Sequence, residues 1–385
     1  MSPLGYITAI HPCEIPYARD PEHGARWARA VQEKTPVKDA QDARRRESAF
    51  VLCDMIQARY PIQRRTCLAD YTHLDWDRME LWSPERCSHG DVYQPRLQDR
   101  MAVFSDQANR LISQAFAHEL EPPDYLFQVS CTGYDSPNAA QRLVVAKQWC
   151  ERVRVLHIGH MGCYASLPAL SLATDVLSGG VKRATRRAGA SEHIRASFFS
   201  VELCSLHGKP LAVDPGSVVQ QTLFADGAAR VDVSNVPGKT SLAVLDTFEL
   251  IVPGTLELMT WRPADNAFEM TLDVEVPRTL ATRLRSIVVS MLAQNGLDLR
   301  DVGIFCVHPG GPRILESVEH ALELARPATR HSHDVFMQRG NMSSATLPHI
   351  WHAVLSDPSV ASGTYMCSLA FGPGLTVAGN ILQKL

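Results

Sequence analysis

Short apolar runs of strand length alternate with stretches of helical period along most of this chain. Tyr125–Ser130, Val153–Ile158, Ile194–Leu203 and Ala228–Val233 read as strands, with helical patterns over Met101–Leu120, Ala139–Trp149 and residues 164–180. The last of these helices is apolar, and Gly179-Gly180 is predicted to close it. After a Pro-Gly seam at Asn235–Thr240 the alternation resumes. Strands are predicted at Leu242–Val252, Glu269–Val276, Val302–Val307, Tyr365–Phe371 and Leu375–Leu382, and helices at Thr279–Ala293, Ile314–Leu324 and Ser343–Leu355. Ahead of both halves, Gly24–Tyr60 predicts one long amphipathic helix, followed by irregular sequence to about Pro95. Strands alternating with helices in two successive halves, residues 1–235 and 236–385, predict a layered α/β architecture.

Composition narrows the function classes. With 38 Lys+Arg against 41 Asp+Glu, the formal net charge of −3 lacks the basic excess of a nucleic-acid binder. No apolar run approaches the ~18 residues that span a bilayer. The first residues carry neither a basic segment nor an apolar one, so a cytoplasmic chain is expected. The 10 cysteines contain no CxxC pair, which argues against a zinc ribbon or a thioredoxin-like motif. His331/His333 and His349/His352 lack companion ligands at metal spacing, so no metal is expected. The basic run Lys182–Arg187 reads as a solvated loop.

Three positions carry chemistry. Cys163 sits at a strand–turn–helix junction behind Gly162, where a helix N-terminus favours a thiolate. His308 ends the buried strand Val302–Val307 and opens the Gly/Pro loop Pro309–Pro312. Strand ends of this kind are where sites collect in α/β sheets. Asn341 follows Gly340 and precedes Ser343-Ser344, placed to offer an amide N–H to a cavity. A cysteine, a histidine and an amide donor supply a nucleophile, a base and an oxyanion partner.

These segments resemble the type III polyketide synthases, the chalcone/stilbene-synthase-like members of the thiolase superfamily. The resemblance rests on GHMGCYAS around Cys163, VHPGGPRIL around His308, RGNMSSAT around Asn341, FGPGLT at Phe371–Thr376 and TLFADGAAR at Thr222–Arg230. It implies a five-layered αβαβα thiolase-like fold, a homodimer, and condensation of malonyl-CoA units onto an acyl starter held on Cys163. Asn341 and His308 would hold the malonyl thioester carbonyl during decarboxylation, and His308 would support the thiolate.

Phe224 and Phe268 match the family's two gatekeeper phenylalanines, and Ser343 a cavity serine. Cys204, Leu206 and His207 would line the cavity, with Thr132, Gly310, Gly311 and Gly374 completing the substrate-facing set. Arg59, Arg64 and Arg65 match residues that meet coenzyme A phosphates, and Arg313 stands near the same mouth. No cofactor is implied beyond the coenzyme A thioester substrates; an acyl carrier protein is an alternative donor.

The stretch Ser200–His207 looks most like bacterial alkylpyrone and alkylresorcinol synthases, which implies fatty acyl starters and pyrone or resorcinol-type products. Ser136 stands where the family carries a methionine reaching into the partner's cavity. A single-round β-ketoacyl synthase or acyltransferase is the alternative activity.

Overall fold

A computed structural model describes residues 2–59, 62–89, 92–184, 193–211 and 213–385. Nine strands share one sheet, in the order Val302–Val307, Tyr365–Gly372, Thr376–Lys384, Leu242–Ile251, Gly5–Pro12, Asp226–Ser234, Arg195–Leu203, Tyr125–Ser130, Arg154–Gly159. The join in the middle is narrow. Gly5–Pro12 meets Leu242–Ile251 only from Gly5↔Val244 to Ile7↔Leu242, whereas it pairs with Asp226–Ser234 from Tyr6 to Pro12. The sheet therefore divides into an N-terminal wing of five strands and a C-terminal wing of four.

Two helices lie between the wings. Ser166–Ala184 packs on Arg195–Leu203 and Asp226–Ser234 on one side and on Leu242–Ile251 and Thr376–Lys384 on the other. Thr346–Ser356 bridges Gly5–Pro12 and Val302–Val307. Burial explains why both are apolar, since a helix sandwiched between sheets has no face left for water. Leu170, Ala173, Trp351 and Val354 join one central core. Leu97–Ala115 and Ala139–Ala146 cover the outer face of the first wing through Phe104, Leu111 and Leu143. Glu275–Gln294 and Pro312–Leu322 cover the second through Leu284, Val288 and Leu315. The result is the five-layered αβαβα arrangement. Among the described residues no helix is long and apolar enough to cross a membrane.

Several elements differ from the expected ones. The helix expected over Gly24–Tyr60 is two, Pro21–Glu33 and Ala40–Arg59. Pro36 has no N–H to continue the first helix, and Asp39 caps the second by accepting from the Gln41 and Asp42 amides at 2.7 and 2.8 Å. The helix after Cys163 does not stop at the glycine pair but runs to Ala184; residues 185–187 of the basic run lie outside the described residues. Strand Phe268–Leu272 gives way to a helix at Glu275, shortening the strand expected to Val276. Strand Gly5–Pro12 and helices Pro215–Leu223 and Arg326–Arg339 carried no clear sequence pattern.

Candidate active site

The turn that carries Cys163 depends on two glycines. Gly162 has φ of 82°, and a Cβ there would stand 2.7 Å from Pro373 Cδ. Only glycine allows both the left-handed backbone and the close approach of the Gly372–Gly374 loop. At Gly372 the Tyr164 ring already occupies the space a Cβ would need. Ser166, the first helical residue, donates its hydroxyl to the Ser344 carbonyl at 2.6 Å. The nucleophile helix is thereby tied to the segment that follows Asn341.

Asn341 is held by backbone on both sides. Its N–H donates to the Leu223 carbonyl at 2.9 Å, and its carbonyl accepts from the Ala225 amide at 2.8 Å. Its Oδ1 accepts from the Ser343 amide at 2.8 Å and its Nδ2 donates to the Gly310 carbonyl at 3.3 Å. One amide N–H is left over. The same Asn341 amide and the Ser343 hydroxyl face the Cys163 thiol. His308 precedes Gly310 by two residues and accepts from its amide at 3.0 Å, its own backbone N–H bound to the Leu369 carbonyl at 2.8 Å. Neither ring nitrogen of His308 has a hydrogen-bond partner, although the residue is fully buried.

The electrostatics overturn one expectation. Instead of a lowered thiol pKa, burial pushes Cys163 up to about 12; Ser343 and Asn341 pull it down, and the Glu202 carboxylate adds to the rise. Desolvation outweighs what a helix terminus supplies. Burial also pushes the His308 imidazole down to about 3. Both groups are therefore neutral in the free protein at physiological pH.

Behind the thiol lies a carboxylate that sequence reasoning passed over. Glu202 is fully buried, yet it accepts from the Cys131 amide at 3.2 and 3.1 Å, from the Thr132 hydroxyl at 2.8 Å and from Ser344. Burial raises its pKa to about 7 against those donors. Cys131 Sγ lies 3.2 Å from Ser343 Oγ, which links Glu202 to the thiol's surroundings.

The cavity over Cys163 measures about 40 Å³. Thr132, Cys204, Phe224 and Ser343 line it, and so do Trp261 and Met270. Phe268 does not. It stacks on His207 at 4.4 Å, and Met270, two residues along the same face of the strand, stands in the wall instead. His207 is likewise behind the wall. Its Nε2 donates to the Thr132 carbonyl at 2.7 Å and its Nδ1 accepts from the Phe268 amide at 3.0 Å. Leu206 packs in the outer N-terminal core.

Gly374 and Gly310 hold loops through their carbonyls, accepting from Thr255 and Asn341 respectively. Gly311 packs against Leu223, whose Cδ1 would stand 3.2 Å from a Cβ there.

The four arginines separate. Arg59, Arg64 and Arg313 are exposed, and Arg59 pairs with Glu316 at 3.7 Å, bringing the end of its helix beside the one that carries Arg313. Arg65 is buried and donates to the Gln221 carbonyl. It faces away from solvent and cannot meet a phosphate at an open mouth with the other three.

A thiol at a cavity, faced by an amide donor and a hydroxyl, together with an unpartnered imidazole two residues before the Gly310 carbonyl that Asn341 holds, is the equipment of an acyl-transferring enzyme. The family model for the C-terminal domain of chalcone and stilbene synthases matches residues 244–385. A 1,3,6,8-tetrahydroxynaphthalene synthase of Streptomyces peucetius subsp. caesius is 31% identical over 266 residues, covering 68% of this chain and 67% of that protein. The alpha-pyrone synthesis polyketide synthase-like Pks18 of Mycobacterium tuberculosis is 26% identical over 305 residues, covering 74% and 73%. Among solved structures, PKS-I from the brown alga Ectocarpus siliculosus superposes with a TM-score of 0.81 at 22% identity, covering 100% of this chain and 99% of that one. The chain belongs to the chalcone and stilbene synthase family: it is a type III polyketide synthase, an acyltransferase with a thiolase-like fold.

Proposed function

We propose that Cys163 accepts an acyl starter from a coenzyme A thioester and that malonyl-CoA extends it by decarboxylative Claisen condensation to pyrone or resorcinol-type products. The meeting of the Cys163 thiol, the Asn341 amide and the Ser343 hydroxyl under one small cavity carries this reading.

In the free enzyme the thiol and the imidazole are neutral, so loading begins with proton transfer from Cys163 Sγ to a free His308 nitrogen. The thiolate attacks the thioester carbonyl, and coenzyme A leaves with that proton. For extension, His308 and the spare Asn341 N–H donate to the thioester oxygen of malonyl-CoA. Its carboxylate departs as carbon dioxide, leaving an enolate whose carbon attacks the Cys163 acyl carbonyl and releases the thiolate. An N–H donor aimed at charge that develops only in the reaction is worth ~10²–10³ in rate.

Arg59, Arg64 and Arg313 would receive the coenzyme A phosphates, and Arg313 an acidic carrier protein in its place. The halves 1–235 and 236–385 act as one unit, in a homodimer, in the cytoplasm, without a further cofactor. A cavity of about 40 Å³ holds a few water-sized groups. That favours short starters over fatty ones unless Trp261 or Met270 moves, and it supports a single-round condensing enzyme as the second reading. Labelled malonyl-CoA with acyl-CoA starters of increasing length decides between them. Product masses carrying two or more extender units support polyketide synthesis; one unit supports the second reading, and no carbon dioxide release overturns both.

A further inference from the structure

A second pocket, of about 50 Å³, lies between helices Pro21–Glu33, Ala40–Arg59 and Pro215–Leu223, apart from the Cys163 cavity. Two arginines line it. Arg19 and Arg65 stand directly opposite each other on the antiparallel pair Tyr17–Arg19 and Arg65–Cys67. Like charges in that register repel. Both side chains are more than nine-tenths buried, at 8% and 3% exposure.

Their charge has no direct partner. Among the described residues no carboxylate forms an ion pair with either guanidinium. The acid whose field reaches Arg19 is Asp226, and its oxygens are already taken by the Leu68 amide, the Ser205 amide and the Ser205 hydroxyl. Arg65 spends one nitrogen on the Gln221 carbonyl. The Arg19 Nε is buried with no hydrogen-bond partner, and the guanidinium lies 4.8 Å over the Tyr71 ring. Burial raises the pKa of Tyr71 and Cys53, the other acids of the pocket wall, so both stay neutral.

Two guanidiniums and no carboxylate line this pocket, so its wall is positive, and arginine does not shed its proton to relieve it. The pocket has room for about four water-sized atoms, the size of a tetrahedral oxyanion and far short of a nucleotide. The geometry points to a structural oxyanion site here, in which Arg19 and Arg65 hold one inorganic phosphate-class anion. The site borders the active centre: a Cβ on Gly340, the residue before Asn341, would stand 3.0 Å from Arg65 Cγ. An anion that fixes Arg65 thus braces the segment that presents the Asn341 amide.

The probe is inorganic phosphate, titrated into the full chain in chloride buffer at constant ionic strength while thermal unfolding is followed. A ligand that binds only the folded state raises the midpoint in a saturable way. We expect a rise of a few degrees in the wild type, and none in Arg19→Met. In phosphate-free buffer Arg19→Met should be at least as stable as wild type, because an uncompensated buried charge has been removed. Arg19→Lys keeps the charge and should fold even if Arg19→Met does not; loss of the planar fork should weaken half-saturation at least tenfold. No saturable rise in the wild type beyond the chloride control overturns the site. So does a response in Arg19→Lys equal to that of the wild type.

Discussion

The two wings of the molecule satisfy their buried polar groups to different degrees. On the N-terminal wing, Glu202 collects donors from Cys131, Thr132 and Ser344, and His207 has both ring nitrogens engaged. On the C-terminal wing, His308 is as deeply buried as His207 and equally depressed in pKa, yet neither of its nitrogens is bonded. A buried polar group without a partner costs ~1–3 kcal/mol. Glu202 and His207 on the wing that holds the nucleophile are thus satisfied at rest, while His308 on the other wing is left open for a thioester oxygen.

The harshest test removes the nucleophile. Cys163→Ala should show no acyl adduct by intact-protein mass after incubation with an acyl-CoA, and turnover should fall to background. An adduct on this variant would place the nucleophile elsewhere, with Cys131 the nearest alternative.

Next come the open donors. Asn341→Ala should lose ~10²–10³ in malonyl-CoA decarboxylation, measured as labelled carbon dioxide, while still acylating Cys163. His308→Ala should slow both steps, because the imidazole must also take the thiol proton. Equal loading rates in the two variants would break the contrast between the wings. The thiol itself should be sluggish: with its pKa near 12, Cys163 alkylation by iodoacetamide should climb steadily from pH 7 to 10 and trail that of exposed Cys150.

Stability should also register these buried groups, with opposite signs for the histidines and the carboxylate. His207, His308 and His349 are each depressed to about 3. Between pH 6.5 and 3 the unfolded chain binds protons that the folded chain refuses, so stability falls as pH drops through that window. Glu202, raised to about 7, works the other way: between pH 4.5 and 7 the folded state holds the extra proton, and stability falls as pH rises. Three histidines outweigh one carboxylate, so the acid limb should be the steeper. His308→Gln should flatten that limb, and Glu202→Gln should remove the neutral-side decline. An unchanged acid limb in His308→Gln would mean that its imidazole is solvated.

Much of this was legible in the chain. The strand–helix alternation and the glycine-flanked motifs describe local backbone, and local backbone is what periodicity and turn chemistry encode. Cys163 and Asn341 do meet. The Glu202 cluster was hidden because its partners lie 70 to 142 residues away in sequence, and no pattern announces such a meeting. The Phe268 position was undecidable for a different reason. Residues two apart on a strand share a face, so Phe268 and Met270 satisfy the same alternation, and only the hairpin's placement puts Met270 at the cavity. Arg64 and Arg65 are neighbours in sequence, yet Arg64 precedes the strand and is exposed while Arg65 opens it and is buried.

The smallest expected effect separates the cavity wall from its support. Trp261 lines the cavity and is fixed there twice, its indole N–H donating to the Cys131 carbonyl at 2.6 Å and its own carbonyl meeting His160 Nε2 at 2.9 Å. His207 lies behind it, ring centroids 5.6 Å apart. Sequence resemblance placed His207 in the cavity lining; the geometry puts Trp261 there and His207 behind it. Trp261→Gly should enlarge the cavity and move the product distribution toward longer starters or one further extension, with Cys163 loading little changed. His207→Gly should leave product lengths as they are and lower the unfolding midpoint by several degrees, since the Thr132 carbonyl and the Phe268 amide lose their partner. Product masses across starters of increasing length, read beside thermal unfolding, distinguish the two. Longer products from a His207→Gly protein of undiminished stability would return the wall to the histidine.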